Sequence, residues 1–287
     1  MTNNLTVACI QNCATPHIEE NLAECEKLSR AASADGAELI CLPEYFSSLD
    51  IRDNLLLGNP YKEEKHPALP LFKSLAQELN AMILLGSLAI DMGQDKFSNR
   101  SFLINQDGNI VTCYDKIHLF DVNLPGGETY LESGTVCPGE RAVLANTPWG
   151  SLGLSICYDL RFAQLYRSLA QAGATMLAVP AAFTKTTGEA HWHVLLRARA
   201  IETGAFVFAP SQYGEHAGGR ACYGHSLIVD PWGRILADAG EDAGYAIATI
   251  DLDEVSKARS MIAALKHDRD FAPPAQKIPA DLAGAAE

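Results

Sequence analysis

Hydrophobic positions along this chain follow two alternating patterns, one typical of strands and the other of helices. Short apolar runs predict strands, whereas apolar residues at i, i+3, i+4 and i+7 predict helices. In the first third the order is strand, helix, strand, short helix, strand, over residues 5–10, 18–32, 37–42, 70–79 and 81–90. The polar stretch from Asp50 to His66 between them is predicted to be an excursion at the surface.

The pattern then changes to hairpins. Gln106-Asp107-Gly108 separates two strand-like runs, 99–104 and 109–114, and is a strong hairpin signal. Two further turns share the sequence Pro-Trp-Gly, at residues 148–150 and 231–233. In each, proline presets φ at the second turn position and glycine closes the turn, so strands are predicted on both sides.

The remaining segments predict more strands than helices. Helices are predicted over 161–172, 189–203 and 253–264, and strands over 152–156, 174–179, 205–209 and 244–250. This balance favours two sheets packed face to face with helices outside, an α-β-β-α sandwich forming a single domain over residues 1–270. Residues 271–287 are rich in proline and alanine and are predicted to form a tail or arm.

Composition excludes several classes of partner. The formal net charge is −13, and lysine and arginine do not cluster, which argues against nucleic-acid binding. No apolar run reaches the roughly 18 residues of a membrane span. The N-terminus has no signal-peptide pattern, so we expect a cytoplasmic protein. The eight cysteines show no metal-binding spacing, so most are expected to be buried, reduced thiols.

One of these cysteines stands at a strand-to-helix junction. The apolar run 152–156 stops at Cys157, and a helical pattern begins at Phe162. A thiol on such a turn points outward and faces the positive end of the new helix, which favours the thiolate. This context predicts a nucleophile, although a buried structural thiol is the commoner role for a cysteine.

Two other predicted strand ends carry reactive side chains. Glu44 follows the strand at 37–42, and Lys116 follows the strand at 109–114. Residues just past strand ends tend to line one rim of a sheet, where sites form. Taken singly, such a glutamate is more often a solvated loop residue, and such a lysine more often a surface partner of Asp115. Their coincidence with Cys157 favours one shared site.

Three separated motifs resemble the signatures of the nitrilase superfamily of carbon–nitrogen hydrolases. They are Pro43-Glu44, Lys116-Ile117-His118-Leu119-Phe120-Asp121 and Cys157-Tyr158-Asp159-Leu160-Arg161-Phe162. They occur in the order and spacing of the family, and the resemblance extends from residue 7 to about residue 271. It implies the α-β-β-α sandwich and a catalytic triad of Glu44, Lys116 and Cys157. A second family glutamate maps onto Glu132, which the sequence alone does not distinguish from Glu128.

The resemblance also implies a chemistry. Cys157 attacks a carbonyl carbon, Glu44 exchanges protons with the thiol and the departing nitrogen, and Lys116 stabilises the oxyanion together with the backbone N–H of Tyr158. Ala182 and Phe183 are expected to bind substrate beside Tyr158. No cofactor or metal is required, and the partner is a small amide.

The second half of the chain indicates a branch of this family. Cys157 is followed by Tyr-Asp rather than by the Trp-Glu usual in true nitrilases. Arg220 and the run Tyr223-Gly224-His225-Ser226 resemble amidases of deaminated glutathione more than omega-amidases. His193 departs from the glutamate that often follows the tryptophan in these amidases, and we expect it to be a surface or interface residue.

Other functions stay open at this point. An omega-amidase, an N-carbamoyl amide hydrolase, a nitrilase or an acyl transferase would use the same residues, and a scaffold protein would keep the fold without the activity. The resemblance implies a homodimer packed through the helices at 161–172 and 189–203. Arg197 and Arg199 belong to that interface or to a pocket for a carboxylate.

Overall fold

Strands form most of the frame of this protein. The computed structural model describes residues 3–52, 55–57, 59–93, 96–124 and 129–274. The strands in these residues are β1 (Asn4–Gln11), β2 (Leu39–Cys41), β3 (Asp50–Arg52), β4 (Leu55–Leu57), β5 (Met82–Gly93), β6 (Lys96–Ile104), β7 (Ile110–Asp115), β8 (Asp121–Asn123), β9 (Thr129–Leu131), β10 (Val136–Cys137), β11 (Val143–Thr147), β12 (Gly150–Leu154), β13 (Met176–Ala178), β14 (Phe206–Ala209), β15 (Tyr213–His216), β16 (Arg220–Tyr223), β17 (Leu227–Val229), β18 (Ile235–Asp238) and β19 (Gly244–Asp251). The helices are α1 (Ile18–Ala34), α2 (Ala68–Leu79), α3 (Ala163–Gln171), α4 (Lys185–Thr203) and α5 (Asp253–Met261), with short 3-10 turns at Glu63–Lys65, Glu132–Gly134, Cys157–Arg161 and Ala264–Lys266.

Two large sheets organise these strands. The first runs in the order β10-β6-β5-β2-β1-β19, with β7 paired to β6, and the second runs β11-β12-β13-β14-β17-β18. Strands β1, β2 and β5 are mutually parallel in the first sheet, as are β12, β13 and β14 in the second. Carboxyl ends of parallel strands meet at one edge of a sheet, which is where loops can converge on a site.

Side-chain alternation separates the layers. In β1, Val7 and Cys9 join the core shared with the second sheet, whereas Ala8 and Ile10 join a separate core with α1 and α2. Buried residues of α3 and α4 pack against the second sheet, and Trp192 of α4 is fully buried. Each large apolar side chain buried in this way contributes roughly 1.5–3 kcal/mol. The layers confirm the predicted α-β-β-α sandwich.

Three elements differ from the prediction, and a local polar contact explains the first of these differences. The helix predicted over 161–172 begins only at Ala163, because Asp159 accepts a hydrogen bond from the Ile156 N–H (2.9 Å) and closes a 3-10 turn first. Helix α4 begins at Lys185, four residues before its predicted start at 189, although Thr186-Thr187-Gly188 resembles a loop. The hairpin β15–β16 was not predicted.

Two predicted segments fall partly outside the described residues. In the excursion from Asp50 to His66, β3 pairs with β4 as a hairpin, and residues 53–54 and 58 are not described. In the predicted tail, residues 271–274 are exposed and form neither helix nor strand, and 275–287 lie outside the described residues. The domain boundary at 270 therefore stays a prediction. Among the helices that the structure describes, none is both long and apolar enough to cross a bilayer.

A bulge in β5 carries the loop that follows β2. The register between β5 and β6 shifts between Leu85 and Leu88, at Gly86-Ser87. Ser87 donates its N–H to the carbonyl of Pro43 (3.2 Å). A methyl group on Gly86 would lie 1.9 Å from the Leu42 carbonyl oxygen and 2.3 Å from that of Pro43. Glycine is therefore required where this strand passes under the Pro43 turn.

Gly86→Ala tests this close approach. We expect the free energy of unfolding to fall by about 3 kcal/mol, because the methyl group meets backbone that cannot move aside. Gly153→Ala is the control, since Gly153 also lies in a strand but the atoms nearest to its methyl would be side-chain atoms of Leu177 and Leu169, at 3.0 Å or more. A smaller loss, of about 1 kcal/mol, is expected there. Denaturant unfolding measures both, and equal losses would contradict the explanation.

Candidate active site

Glu44 is held on a turn just after β2. Its neighbour Tyr45 has a left-handed φ of 52° and donates its N–H to the Ser87 hydroxyl (3.0 Å). The Glu44 carbonyl accepts a hydrogen bond from Gln212 Nε2 (3.0 Å). These contacts fix the backbone on both sides of the glutamate. Its carboxylate therefore points into the protein, where only 3% of the residue is exposed.

Lys116 enters the same space from the end of β7. Its N–H donates to the Asn99 carbonyl (3.0 Å), and its own carbonyl accepts from the Gly139 N–H (2.7 Å). The ammonium donates to Glu44 Oε1 at 2.9 Å and to Glu132 Oε2 at 2.8 Å. Lys116 is 2% exposed. It therefore forms a buried ion cluster with two carboxylates, and the surface alternative for this lysine is wrong.

Glu132 completes the cluster from the 3-10 turn after β9. Its Oε2 accepts the Phe120 N–H at 2.6 Å. The side-chain amide of Asn99 donates to both carboxylates, at 2.9 Å to Glu44 and 3.3 Å to Glu132. Sequence reasoning missed Asn99, although a buried amide in the middle of β6 was a usable signal. Glu128, the alternative to Glu132, lies outside the described residues.

Cys157 lies against this cluster from the second sheet. It follows β12, has a left-handed φ of 47°, and donates its N–H to the Pro180 carbonyl (2.9 Å). Its thiol lines the same cleft as the Glu44 carboxylate, whose negative charge acts on it. The Ala182 N–H donates to Glu44 Oε2 at 2.8 Å, which ties the loop after β13 to the same group. The structure thus brings the residues from all three predicted strand ends together.

The electrostatics of the thiol differ from the prediction. Burial raises the pKa of Cys157 well above its ordinary value, the negative charge of Glu44 raises it further, and Lys116 lowers it only in part. The expected bias towards thiolate from a helix terminus is therefore wrong. Between Cys157 and α3 stands a 3-10 turn, so the α-helical N–H groups begin several residues away. The resting thiol is protonated and needs a base.

The charged groups of the cluster change one another's pKa values. Burial disfavours the Lys116 ammonium, but the carboxylates of Glu132 and Glu44 outweigh it and raise the pKa of Lys116 well above its ordinary value. Burial raises the pKa of Glu132, an effect that Lys116 opposes and Glu44 reinforces. The lysine is therefore a permanent cation at this position.

A second polar network holds the Cys157 turn. Asp159 is fully buried and accepts hydrogen bonds from the Tyr114 hydroxyl (2.7 Å), the His118 N–H (3.0 Å) and the Ile156 N–H (2.9 Å). The His118 ring stacks on Phe162, with centroids 3.5 Å apart. These contacts join the Lys116 motif to the Cys157 motif, which explains why both segments carry polar residues beyond the reactive ones.

A cleft opens onto the cluster. Its free space, including the mouth, is about 670 Å³. Tyr158, Ala182 and Phe183 line it, as the resemblance led us to expect, beside Glu44, Lys116, Glu132 and Cys157. Sequence reasoning did not assign the other aromatic and polar walls, which include Tyr45, Phe120, Tyr130, Thr184, Thr187, Arg220 and Cys222. The cleft therefore has walls of backbone and aromatic rings around a floor of charged side chains.

Three residues whose roles the sequence did not decide lie outside the cleft. Arg199 is buried, and its Nε donates to the Leu160 carbonyl (3.0 Å). Arg197 donates to the Gly233 carbonyl (2.7 Å). His193 is half-buried, with Nε2 3.3 Å from an Asp238 oxygen. None of the three lines the cleft. The carboxylate-pocket alternative for the two arginines is therefore wrong in this protein chain.

Comparison with known proteins agrees with this geometry. The sequence profile of the carbon-nitrogen hydrolase family matches residues 6–260. A deaminated glutathione amidase of Synechocystis sp. is 43% identical over 270 residues, covering 91% of this chain and 96% of that protein. The deaminated glutathione amidase of Homo sapiens is 41% identical over 271 residues, covering 92% and 82%.

A solved structure gives the same result for the fold. The Caenorhabditis elegans NitFhit protein has a TM-score of 0.85 and 34% identity to this chain. The match covers 93% of this chain and 66% of that longer one. The chain therefore belongs to the carbon–nitrogen hydrolase family, within the nitrilase superfamily. It is an amidase, which hydrolyses amide C–N bonds.

Replacing Lys116 tests how far the stability of the protein depends on this counter-ion for the two buried carboxylates. In Lys116→Met, two buried carboxylates lose their counter-ion, so we expect a loss of about 3–5 kcal/mol in the free energy of unfolding at pH 8. Without Lys116, the pKa of Glu132 in the folded state rises further. The folded variant then binds a proton more readily than the unfolded chain, so the deficit should narrow towards pH 5.

Denaturant unfolding at the two pH values measures this change. The double variant Lys116→Met/Glu132→Gln is the matched control, since it removes one of the two unpaired charges. It should recover part of the stability at pH 8 and depend less on pH. A deficit that is the same at both pH values would contradict a buried ion cluster.

Proposed function

We propose that this amidase hydrolyses a small amide that carries a carboxylate, through a thioester on Cys157. We further propose that its substrate is deaminated glutathione, in which the amide nitrogen belongs to the cysteinylglycine part. The observation that carries the proposal is that one cleft is lined by the Cys157 thiol and by the Glu44 carboxylate, which is held 2.9 Å from the Lys116 ammonium. A base, a nucleophile and a fixed positive charge therefore meet at the floor of one cleft.

In the first half-reaction, Cys157 Sγ bonds to the amide carbon while its proton moves to Glu44. General-base help of this kind is worth about 10²–10⁴-fold in rate. Lys116 and the backbone N–H of Tyr158 stabilise the negative charge that develops on the carbonyl oxygen. Glu44 then returns the proton to nitrogen as the C–N bond breaks, so the amine leaves and an acyl thioester remains. The leaving amine is cysteinylglycine for deaminated glutathione and ammonia for a primary amide.

The second half-reaction repeats these steps with water. Glu44 takes a proton from the water as its oxygen bonds to the thioester carbon, and the proton returns to sulfur as the C–S bond breaks. The product is the free acid, and the thiol is restored. Glu132 acts on Lys116: its carboxylate, 2.8 Å from Nζ, keeps the cation charged and in place through both steps.

The cleft supports an anionic substrate in particular. Arg220 lines it, with its guanidinium 3.3 Å from the centroid of the Tyr130 ring and one N–H donated to the Thr129 carbonyl (3.2 Å). The chain has a net charge of −13, so a positive charge fixed in the cleft wall contrasts with the rest of the protein and favours a negatively charged ligand there. The positive charge of Arg220 complements a carboxylate, so we assign the substrate carboxylate to the part of the wall that Arg220 forms.

We also propose a homodimer. Helix α4 exposes Val194 and Ile201, and α5 exposes Met261, each more than half accessible. The chain next to α5 exposes Ile262 as well. Apolar side chains gathered on one layer support a second copy as their partner. The cytoplasmic location stays a prediction.

A substrate panel tests the proposed function. Release of cysteinylglycine is measured with deaminated glutathione, and release of ammonia with α-ketoglutaramate, an N-carbamoyl amide, simple aliphatic amides and nitriles. We expect deaminated glutathione to have the highest kcat/KM, and Cys157→Ala to release no cysteinylglycine from it. Mass spectrometry of the wild-type protein should find an acyl adduct on Cys157. Turnover by Cys157→Ala at the wild-type rate would refute the nucleophile, and a higher kcat/KM for α-ketoglutaramate would refute the substrate.

Glu44→Gln separates the base from the thiol. Because the Glu44 charge raises the pKa of Cys157 and Lys116 lowers it, the variant should have a more acidic thiol. We expect faster alkylation of Cys157 by iodoacetamide at pH 7, read by peptide mass spectrometry, while amide turnover falls by about 10²–10⁴-fold. Glu241→Gln, a change at an exposed glutamate, is the control. Slower alkylation together with retained turnover would exclude the base role.

Arg220→Gln tests recognition of the carboxylate. Loss of a charged hydrogen bond is worth about 1.5–3 kcal/mol, so KM for the carboxylate-bearing amide should rise by roughly 10–100-fold. KM for a neutral aliphatic amide should change little. Arg234→Gln, at an arginine whose side chain is 69% exposed, is the control and should change neither value. Equal effects on both amides would show a structural role for Arg220 instead.

A further inference from the structure

Two histidines and an aspartate meet outside the cleft. His193 lies on α4, His225 follows β16, and Asp238 ends β18. Each offers one ligand atom, and the three atoms lie within 4.8 Å of one another. His193 Nε2 is 3.3 Å from Asp238 Oδ2, and His225 Nδ1 is 3.0 Å from Asp238 Oδ1. Three separate elements therefore deliver metal-binding side chains to one point.

The spacing suits a small transition-metal ion. Zinc is bound tetrahedrally by imidazole nitrogen and carboxylate oxygen at about 2.0–2.1 Å, which places ligand atoms roughly 3.3 Å apart. His193 Nε2 and His225 Nδ1 lie 3.3 Å and 3.1 Å from the same carboxylate oxygen, Asp238 Oδ2, close to this spacing. All three ligand atoms lie within 4.8 Å of one another, so they would draw together around an ion. The side chains of His193, His225 and Asp238 are 28%, 19% and 33% exposed, so an ion can enter and water can take the fourth position.

The backbone holds the ligands in place independently of any ion. His225 has a left-handed φ of 53°, donates its N–H to the Gly240 carbonyl (2.7 Å), and accepts the Trp192 indole N–H on its own carbonyl (2.8 Å). Asp238 Oδ1 accepts the Gly240 N–H at 2.8 Å. His193 directly follows the fully buried Trp192. Positions fixed in this way lower the cost of ordering ligands around a metal.

We propose that His193, His225 and Asp238 form a binding site for a divalent transition metal, with Zn²⁺ as the ion that fits this ligand set. Two imidazoles and one carboxylate form a ligand set that suits zinc, whereas magnesium and calcium prefer sets made of oxygen ligands. Glu241 adds negative charge beside the site, 3.9 Å from His225 Nε2. None of the three ligands lines the cleft, so the ion takes no part in amide hydrolysis.

The site has a structural consequence for the cleft. A bound ion would link α4 to the loop after β16 and to the end of β18. Strand β16 carries Arg220 and Cys222, which both line the cleft. An ion would therefore stiffen one wall of the cleft from behind. Without it, the same side chains form hydrogen bonds in which Asp238 bridges the two imidazoles.

Zinc titration tests the proposal. Thiols also bind zinc, so all proteins carry Cys157→Ala, are stripped with EDTA, and are titrated with ZnCl₂ by calorimetry. We expect one equivalent to bind. His193→Gln and Asp238→Asn should each weaken binding by more than about 100-fold, since loss of a direct ligand exceeds the 10–100-fold cost of losing its outer partners. His191→Gln, at an exposed histidine two residues away on α4, should bind as before.

Two further readouts distinguish this site from a thiol site. Co²⁺ bound in place of zinc should show no thiolate-to-cobalt charge-transfer band, and saturating Zn²⁺ should raise the unfolding temperature of the parent but not of His193→Gln. The metal-free variants should unfold cooperatively within a few degrees of the parent, since they lose only partly exposed hydrogen bonds, and this result would verify their fold. Absence of binding, binding that survives both ligand variants, or a thiolate band would each overturn the proposal.

Discussion

The buried contact of Lys116 with Glu44 and Glu132 is the interaction on which the rest of the structure depends. Removing ions from water costs several kcal/mol each, so such a cluster persists only where further donors satisfy the carboxylates. Those donors are the Asn99 amide and the N–H groups of Phe120 and Ala182. They come from separate segments on both sheets, so the cluster forms only when the sandwich is complete. The assembly of the site and the stability of the fold therefore depend on the same interactions.

The same cluster determines how the thiol is used. Because the thiol of Cys157 is buried beside a carboxylate, its pKa is raised and it rests in the protonated form. It differs in this from cysteines that are activated as standing thiolates beside a cation or a helix terminus. A protonated thiol limits alkylation and oxidation between turnovers, and the proton needed by the leaving nitrogen is already at the site. The base next to the thiol then controls reactivity as substrate arrives.

Much of the fold was predictable from local pattern. Apolar periodicity located the main helices, and the Gln106-Asp107-Gly108 and Pro-Trp-Gly turns located three hairpins, because strand pairing across a tight turn is a local property. The pattern failed where a distant or polar contact decides the element. The 3-10 turn after Cys157 depends on the buried carboxylate of Asp159, and β15 and β16 form a pair whose short, polar sequences carry little periodicity.

By itself, the sequence determined the sandwich, the family and the three strand ends that carry Glu44, Lys116 and Cys157. It could do so because the order of motifs and the lengths of apolar runs are local properties of the sequence. Only the tertiary structure decided the charge state of the thiol, the bridging role of Asn99 and the burial of Arg199 away from the cleft. It also placed His193 beside His225 and Asp238. Each of these results depends on desolvation and on contacts between residues far apart in the chain, and neither is encoded in local residue order.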